Sequence, residues 1–262
     1  MPGQQPPKTP KGWLTLLSEI ADEADDIALR HFGRADLAVQ VKPDDSPVTE
    51  ADQAIETEAR RIMSHRAPGV GVYGEEEGET GSTDRRLIID PIDATRNFMR
   101  GIPVFATLLA IEEDGEVIAG VVSAPALHAR WRAARGIGAF RRDRAIHVSA
   151  ITEVSDALIF HSDMFGATEK APPSGYQALA RRAARTRGFG DFYQHVLVAQ
   201  GSGELAVDPK VSPWDIAPLM VLVEEAGGKA TDMTGTRTIY GRSFVTSNGA
   251  MHDEAIAALT DR

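Results

Sequence analysis

Two carboxylates flanking a proline follow a short apolar run, and they constrain how this chain can fold. The run Leu-Ile-Ile at residues 87–89 has the length and composition of a buried strand. Pro91 cannot donate a hydrogen bond to a central ladder, so we expect the strand to end at Asp90 and the chain to turn there. Asp90 and Asp93 would then stand together at a strand end. Mg²⁺ prefers such carboxylate oxygens, although a turn and a helix cap also explain one such pair.

The composition is that of a soluble globular protein. The chain has 262 residues, of which 42% are hydrophobic and 25% charged. We expect no membrane association, because no apolar stretch approaches the length that crosses a bilayer. Residues 1–11 lack the apolar core of a secretory signal and are interpreted as a disordered tail. Since the chain contains no cysteine, disulfides and thiolate sites are excluded and a cytoplasmic location is expected.

The net charge limits the class of partner. A formal charge of −10 at pH 7 argues against nucleic acid, whose binders normally carry a basic face. An anionic substrate would be repelled by an acidic site of this kind without metal. Bound cations would reverse that repulsion, so a phosphorylated small molecule remains compatible with the charge.

The hydrophobic periodicity predicts an α+β half followed by an α/β half, with a boundary near residue 150. The half over residues 12–150 is predicted to contain helices at 12–32 and 50–66, strands at 37–42, 70–73, 86–90, 105–111, 117–123, 130–134 and 139–141, and an acidic loop at 74–79. The half over residues 151–262 is predicted to alternate strands at 157–160, 204–208, 229–231 and 243–247 with helices at 175–186, 191–201, 213–226 and 251–260.

Four groups of acidic residues lie at the ends of predicted elements. Each has an ordinary structural explanation as a helix cap, a solvated loop, a turn or a favourable charge in a first helical turn. Together they indicate more, because ligands and catalytic groups concentrate at element ends. The four groups are Thr49 with Asp52, Glu75, Asp90 with Asp93, and Asp215.

These groups sit in motifs that resemble the signatures of the inositol monophosphatase superfamily. The motifs occur in the family's order and, with two supporting motifs, span most of residues 42–231. The resemblance implies a layered αβαβα sandwich, of mixed α+β and α/β class, that pairs as a homodimer. The motifs are Gly74-Glu75-Glu76, Asp90-Pro91-Ile92-Asp93-Ala94-Thr95 and Trp214-Asp215-Ile216-Ala217-Pro218, supported by Val48-Thr49-x-Ala51-Asp52 and Gly136-x-Gly138-Ala139-Phe140.

The resemblance implies a Mg²⁺-dependent hydrolysis of a phosphate monoester, with two to three ions in each active site. Two neighbouring ions can generate the attacking hydroxide and stabilise the leaving oxygen. The implied ligands are Glu75, Asp90 and the carbonyl of Ile92 for the first ion, Asp90, Asp93 and Asp215 for the second, and the vicinity of Glu75 for a weaker third ion.

The resemblance also implies roles around the ions. Glu75 and Thr95 belong to the implied catalytic set, in which Thr95 passes a proton from the attacking water towards Asp52. The backbone N–H groups of Ala94 and Thr95 open a helix and would bind phosphate oxygens. Lys42 lies in a loop that approaches the metals in this family, although a solvated lysine would explain it equally well.

Ala94 departs from the family pattern, which usually has glycine at this position. A methyl group disfavours a positive φ angle and would reshape the phosphate cradle slightly. The backbone N–H donor is retained, so we expect the site to remain active.

The second half of the chain bears on the substrate alcohol. Residues 187–195 and 206–209 resemble the histidinol-phosphate phosphatase branch most. Histidinol phosphate carries an amine and an imidazole, and Asp191 and Asp208 could pair with both. A helix cap at Asp191 and a turn at Asp208 are the structural alternatives, and His195 could be a core or a surface histidine.

L-histidinol phosphate is therefore the favoured substrate. Inositol monophosphate is the main alternative, because carboxylates also accept hydrogen bonds from hydroxyl groups, and nucleotide 3′-phosphates and sugar phosphates remain open. An inactive binding module on the same scaffold is disfavoured, since every ligand that the resemblance implies is present.

Overall fold

The computed structural model describes residues 5–42, 46–162 and 174–260. The helices in these ranges are α1 Pro10–His31, α2 Glu50–Arg66, α3 Thr95–Met99, α4 Ser174–Arg182, α5 Asp191–Ala199, α6 Pro213–Glu225 and α7 His252–Thr260. The strands are β1 Val39–Val41, β2 Pro47–Thr49, β3 Gly71–Gly74, β4 Gly78–Thr80, β5 Arg85–Asp93, β6 Ala106–Glu113, β7 Glu116–Ala124, β8 Ala129–Ala134, β9 Gly138–Arg141, β10 Arg144–Ala145, β11 Leu158–His161, β12 Arg185–Gly188, β13 Leu205–Asp208, β14 Lys229–Thr231 and β15 Phe244–Ser247.

Two large sheets divide the strands by sequence. The first has eight strands in the order β10-β9-β8-β7-β6-β5-β3-β4 and is antiparallel except for the β3–β5 pair. The second has five strands in the order β12-β11-β13-β15-β14, with parallel pairs on both sides of β11. Strands β1 and β2 form a separate antiparallel pair. The strands of the two large sheets therefore separate between residues 145 and 158, and the division into two halves near residue 150 stays a prediction.

The helices lie in layers on both faces of the first sheet. Leu87 and Ile89 of β5 pack with α1 and α2, whereas Ile88 between them packs with α5 and α6. This alternation is the period of two that a strand imposes on its side chains. Unlike an antiparallel sheet with one solvated face, this sheet is buried on both faces, which explains its continuous apolar runs.

The second sheet completes the sandwich. Its strands contact α5 on one face, through a cluster that includes Phe160 and Val198, and α4 and α7 on the other, through a cluster that includes Leu179 and Leu259. The order is helices, eight-stranded sheet, helices, five-stranded sheet, helices. The predicted αβαβα sandwich is therefore confirmed. No helix in the described ranges is long and apolar enough to cross a membrane.

Helix α1 begins earlier than predicted. Thr9 caps it by accepting a hydrogen bond from the Gly12 N–H at 3.1 Å, and Pro10 occupies the first helical turn, where a missing N–H donor costs nothing. The helix therefore overlaps the predicted tail over residues 1–11 by two residues. Residues 1–4 of that tail lie outside the described part of the chain.

The expectation that β5 ends before Pro91 is wrong. The strand continues to Asp93, and its register against β6 shifts between Asp90 and Asp93. The irregularity removes Pro91 from the regular ladder, where an N–H donor would be needed. The Pro91 carbonyl instead accepts a hydrogen bond from the buried Thr107 hydroxyl at 2.8 Å.

Two further boundaries differ from the sequence prediction. Part of the predicted acidic loop forms β4, which pairs with β3 after a turn over residues 75–77. Gly78, the first residue of β4, has a φ of 71°, which suits glycine. The helix predicted over 175–186 ends at Arg182, and residues 185–188 pair with β11 as an edge strand. The first difference is a local hairpin, whereas in the second, pairing with the earlier strand β11 overrides the local pattern.

A close approach between β7 and α6 gives a prediction for the fold. A Cβ atom at Gly120 would lie 2.8 Å from the Cα atom of Pro218 and 2.8 Å from a methyl group of Val221. We expect Gly120→Ala to lower the free energy of unfolding by about 1–3 kcal/mol, because overpacking forces the helix and strand apart. Urea denaturation measures this change, and an unaltered midpoint would contradict the described contact.

Candidate active site

Three carboxylates from both parts of the chain meet at one point. Asp90 and Asp93 lie on the irregular end of β5, and Asp215 lies in the first turn of α6. One oxygen from each lies within 4.8 Å of the others. The packing of α6 on the first sheet brings Asp215 to the β5 end, so this predicted set of ligands is assembled by the fold.

Backbone donors fix two of these carboxylates. Asp215 accepts a hydrogen bond from the Ser212 N–H at 2.7 Å, and Asp93 accepts one from the Phe192 N–H at 2.8 Å. The Oδ1 atom of Asp90 is buried and has no hydrogen-bond partner among the described residues. A buried carboxylate oxygen without a donor is costly unless a cation satisfies it.

The electrostatics of the cluster also favour a cation. Burial, followed by repulsion from neighbouring carboxylates, raises the pKa values of Asp90 and Asp93 well above the ordinary range. Burial, opposed by the Ser212 N–H and reinforced by nearby acidic groups, raises the pKa of Asp215 to about 7. These three side chains supply hard oxygen donors, so the residues present fit a divalent ion such as Mg²⁺.

Glu75 lies beside this cluster and contacts Lys42. The Glu75 N–H donates to the Ile89 carbonyl at 3.2 Å, which places the residue next to β5. Lys42 Nζ donates to Glu75 Oε1 at 2.7 Å and to Glu76 Oε1 at 2.8 Å. Burial alone lowers the pKa of Lys42, but the two carboxylates outweigh it and raise that pKa above its ordinary value.

Glu76 is perturbed by the same surroundings. Burial, opposed by the Lys42 ammonium and reinforced by Glu75, raises the pKa of Glu76 to about 7. A lysine held between two glutamates reduces the repulsion that the acidic groups exert on one another. The structure therefore places Lys42 in contact with an implied metal ligand, where the sequence left a solvated lysine as the alternative.

Glu56 supports the loop that carries Glu75, a role that the sequence analysis missed. Its buried carboxylate accepts hydrogen bonds from the N–H groups of Glu76 at 2.8 Å and Glu77 at 3.1 Å, and it pairs with Arg60 at 2.7 Å. A Cβ atom at Gly74 would lie 2.0 Å from Glu56 Oε1, so glycine is required there. A charged residue four positions after Asp52, next to the apolar Ile55 in the sequence, was the available signal.

Asp52 and Thr95, the residues of the implied proton relay, each form hydrogen bonds with a residue three positions away. Asp52 accepts hydrogen bonds from the Thr49 N–H at 2.8 Å and the Thr49 hydroxyl at 2.6 Å. Burial, opposed by these bonds, raises the pKa of Asp52 to about 6, and its Oδ1 is buried without a described partner. The Thr95 hydroxyl donates to the Ile92 carbonyl at 2.9 Å, so transfer from Thr95 to Asp52 stays a prediction.

Ala94 adopts a positive φ angle, which is unfavourable for alanine. Its φ and ψ angles are 66° and 46°, in the left-handed region at the start of α3. A side chain in this region costs about 1–2 kcal/mol relative to the right-handed conformation. The backbone is therefore held in the glycine-like geometry that the family motif implies, despite the methyl group.

Asp191 and Asp208 lie together on the side of the five-stranded sheet. Asp208 ends β13 and accepts hydrogen bonds from Gln194 Nε2 at 2.6 Å and His195 Nε2 at 2.9 Å. Asp191 keeps part of its surface in solvent, yet desolvation by its surroundings and then the charge of Asp208 raise its pKa to about 6. His195 is a buried histidine that contacts a predicted substrate-binding residue, which the sequence analysis did not anticipate.

Comparisons with known proteins identify the family of this chain. The model of the inositol monophosphatase family matches residues 11–262. The chain belongs to the inositol monophosphatase family. It is 43% identical over 252 residues to the histidinol-phosphatase of Mycobacterium tuberculosis, covering 94% of this chain and 97% of that protein. It is 40% identical over 258 residues to the histidinol-phosphatase of Streptomyces coelicolor, covering 95% of this chain and 97% of that protein.

A solved structure gives the same result for the fold. The extragenic suppressor protein SuhB of Bartonella henselae matches with a TM-score of 0.84 at 29% identity, covering 94% of this chain and 97% of that chain. The predicted family is confirmed by these matches. The predicted enzyme class, a phosphoric monoester hydrolase, is confirmed at the level of the class because the relatives named above are phosphatases.

The left-handed conformation of Ala94 leads to a stability prediction. We expect Ala94→Gly to raise the free energy of unfolding by about 1 kcal/mol, because relief of the strained φ exceeds the extra chain entropy of glycine. Urea denaturation without metal measures the effect. Ala126→Gly, at an alanine with no positive φ, is the control and should not stabilise the protein. Equal effects of both substitutions would contradict the assignment of strain to Ala94.

The raised pKa of Asp215 predicts a pH dependence in the metal-free protein. Its folded-state pKa of about 7 exceeds the unfolded value near 4, so the folded state binds the proton more tightly. The resulting stabilisation is complete below pH ~4 and is lost as the pH rises through ~7. Asp215→Asn should lack this contribution, so the difference in unfolding free energy between wild type and variant should change between about pH 4 and about pH 7. Parallel pH profiles in EDTA would contradict the prediction.

Proposed function

We propose that this phosphatase hydrolyses L-histidinol phosphate to L-histidinol and phosphate, using divalent metal ions, with Mg²⁺ as the physiological ion. The observation on which the proposal rests is that two clusters of acidic residues lie in one region. One group, Asp90 with Asp93 and Asp215, suits a metal, and the other, Asp191 with Asp208, suits a cationic alcohol. The histidinol-phosphatases that match over nearly their whole length support the same substrate.

The residues divide the chemistry between them. Asp90, Asp93 and Asp215 would hold divalent ions, together with Glu75 and the Ile92 carbonyl. Ions bound there would activate the attacking water and stabilise the leaving oxygen of an in-line displacement. The number of ions, two to three, stays a prediction.

Residues next to the carboxylate cluster would transfer the proton and bind the phosphate. A carboxyl group with a pKa of about 6, like that of Asp52, is matched to accepting a proton near neutral pH. Thr95 would pass the proton from the attacking water to Asp52. The backbone N–H groups of Ala94 and Thr95, at the start of α3, would donate to phosphate oxygens.

The alcohol is recognised by charge. The amine and the imidazole of histidinol phosphate would donate hydrogen bonds to Asp191 and Asp208, and bonds between ionised partners are stronger than neutral ones. Inositol monophosphate is the second candidate. A Thermotoga maritima protein named fructose-1,6-bisphosphatase/inositol-1-monophosphatase is 33% identical over 237 residues and supports that alternative.

Assembly and location complete the proposal. A homodimer and a cytoplasmic location stay predictions. Sedimentation velocity measures the oligomeric state. No nucleic-acid partner is proposed for a chain with a formal charge of −10.

Phosphate release from equal low concentrations of L-histidinol phosphate and myo-inositol 1-phosphate tests the function. With Mg²⁺, we expect kcat/KM to favour histidinol phosphate. Asp90→Asn should lower activity by about 100-fold or more, since it removes an anionic ligand from the cluster. Asp114→Asn is the matched control, because Asp114 is exposed at the tip of the β6–β7 hairpin and asparagine tolerates its φ of 52°. Full activity in Asp90→Asn would contradict the metal site, and a preference for inositol phosphate would contradict the substrate.

A further inference from the structure

Asp208 is held by a series of buried polar side chains that hydrogen-bond to one another. Gln194 and His195 donate to the same carboxylate oxygen, Oδ2, at 2.6 Å and 2.9 Å. The other ring nitrogen of His195 lies 2.8 Å from the hydroxyl of Thr246 in β15. We propose that His195 and Gln194 are positioning residues that aim Asp208 at a cationic group of the substrate alcohol, with Thr246 orienting His195. This inference rests on the proposed function.

The two hydrogen bonds leave the second oxygen of the Asp208 carboxylate available. Both donors converge on Oδ2, so Oδ1 is the oxygen that remains for a ligand. Two anchoring bonds to one oxygen restrict rotation of the carboxylate, which sets the direction of Oδ1 before a ligand arrives. Ordering of Asp208 in advance lowers the entropy cost of binding.

The tautomer of His195 follows from its partners. A carboxylate oxygen can only accept, so the proton of a neutral His195 ring lies on Nε2 and points at Asp208. Nδ1 is then an acceptor, and the Thr246 hydroxyl must donate to it. Asp208 therefore sets the tautomer, and the Thr246 hydroxyl satisfies the other ring nitrogen, so that the ring of His195 is held at both nitrogens.

The side chains that form this series of hydrogen bonds are buried. His195 is 1% exposed, and Gln194 and Thr246 are 0% exposed. Hydrogen bonds in such surroundings are strengthened by the low local dielectric, and a broken one leaves an unpaired buried group. The ring of His195 also packs on Phe244, with centroids 4.8 Å apart, so its plane is fixed by contacts on both its edges and its face.

The surroundings of Asp208 favour a cation over a neutral alcohol. The charge of Asp208 raises the pKa of Asp191 after desolvation, which shows that these carboxylates interact. The charge of Asp208 also acts on Asp93 and on Asp215 in the metal cluster. A cationic group of the alcohol, placed between Asp191 and Asp208, would offset the negative charge of both carboxylates. A hydroxyl group carries no net charge and would not offset it.

Thr246→Val tests the inference, because valine keeps the shape of threonine and removes the hydroxyl. For L-histidinol phosphate we expect KM to rise about threefold to tenfold with kcat nearly unchanged, the size of effect that loss of one ordered hydrogen bond gives. For glycerol 2-phosphate, whose alcohol carries no cation, both constants should stay near their wild-type values. Thr246→Ser restores the hydroxyl and should restore the low KM.

Two further variants keep the test decisive. Gln194→Met removes the second donor to Asp208 with a side chain of similar length, and it should reproduce the rise in KM. Thr231→Val is the matched control, since Thr231 lies in the neighbouring strand β14 and its hydroxyl contacts the buried His252 at 2.9 Å. It should lower thermal stability without changing the preference between the two substrates.

The outcomes separate the inference from the proposed function. If wild-type protein does not hydrolyse histidinol phosphate, the proposed function fails and the inference falls with it. If wild type prefers histidinol phosphate and both Thr246→Val and Gln194→Met keep that preference, the inference alone is overturned. Equal loss of preference in Thr231→Val would show a general effect of destabilisation and would also overturn it.

Discussion

Repulsion among buried carboxylates is the constraint on which the rest of this structure depends. Asp90, Asp93 and Asp215 share one small volume, and burial raises the pKa of each. A large apolar core holds in place the elements that carry these carboxylates. The close contact of β7 with α6 at Gly120 involves Pro218, three residues after Asp215, so packing of this helix against the first sheet maintains the geometry of the site.

Around this cluster, hydrogen bonds from neighbouring segments fix the acidic groups. Asp93 accepts from the Phe192 N–H at the start of α5, and Asp52 accepts from Thr49. The carboxylate of Glu56 accepts from the N–H groups of the loop that follows Glu75. Gln194 and His195 hold Asp208 in the same way. The carboxylates that we propose as ligand-binding groups are thus separate from the groups that orient them.

The sequence singled out Asp90, Asp93 and Asp215, which the fold brings together, because they occur in short contiguous motifs at element ends. It failed at Pro91, where a bulge lets proline remain within a strand, and at Arg185–Gly188, where pairing with β11 replaces the end of a predicted helix. The roles of Glu56 and His195 depend on partners 20 and 51 residues away, Glu76 and Thr246. Local periodicity contains no information about such contacts, whereas folding brings them together.

The central claim, that the carboxylate cluster is a divalent metal site, is tested most directly by diffraction from crystals soaked in Mn²⁺, measured for anomalous scattering. This account predicts an anomalous peak between Asp90, Asp93 and Asp215, within coordination distance of their oxygens, and the loss of that peak in Asp90→Asn. Ordered crystals of wild-type protein at saturating Mn²⁺ with no peak at the cluster would contradict the account.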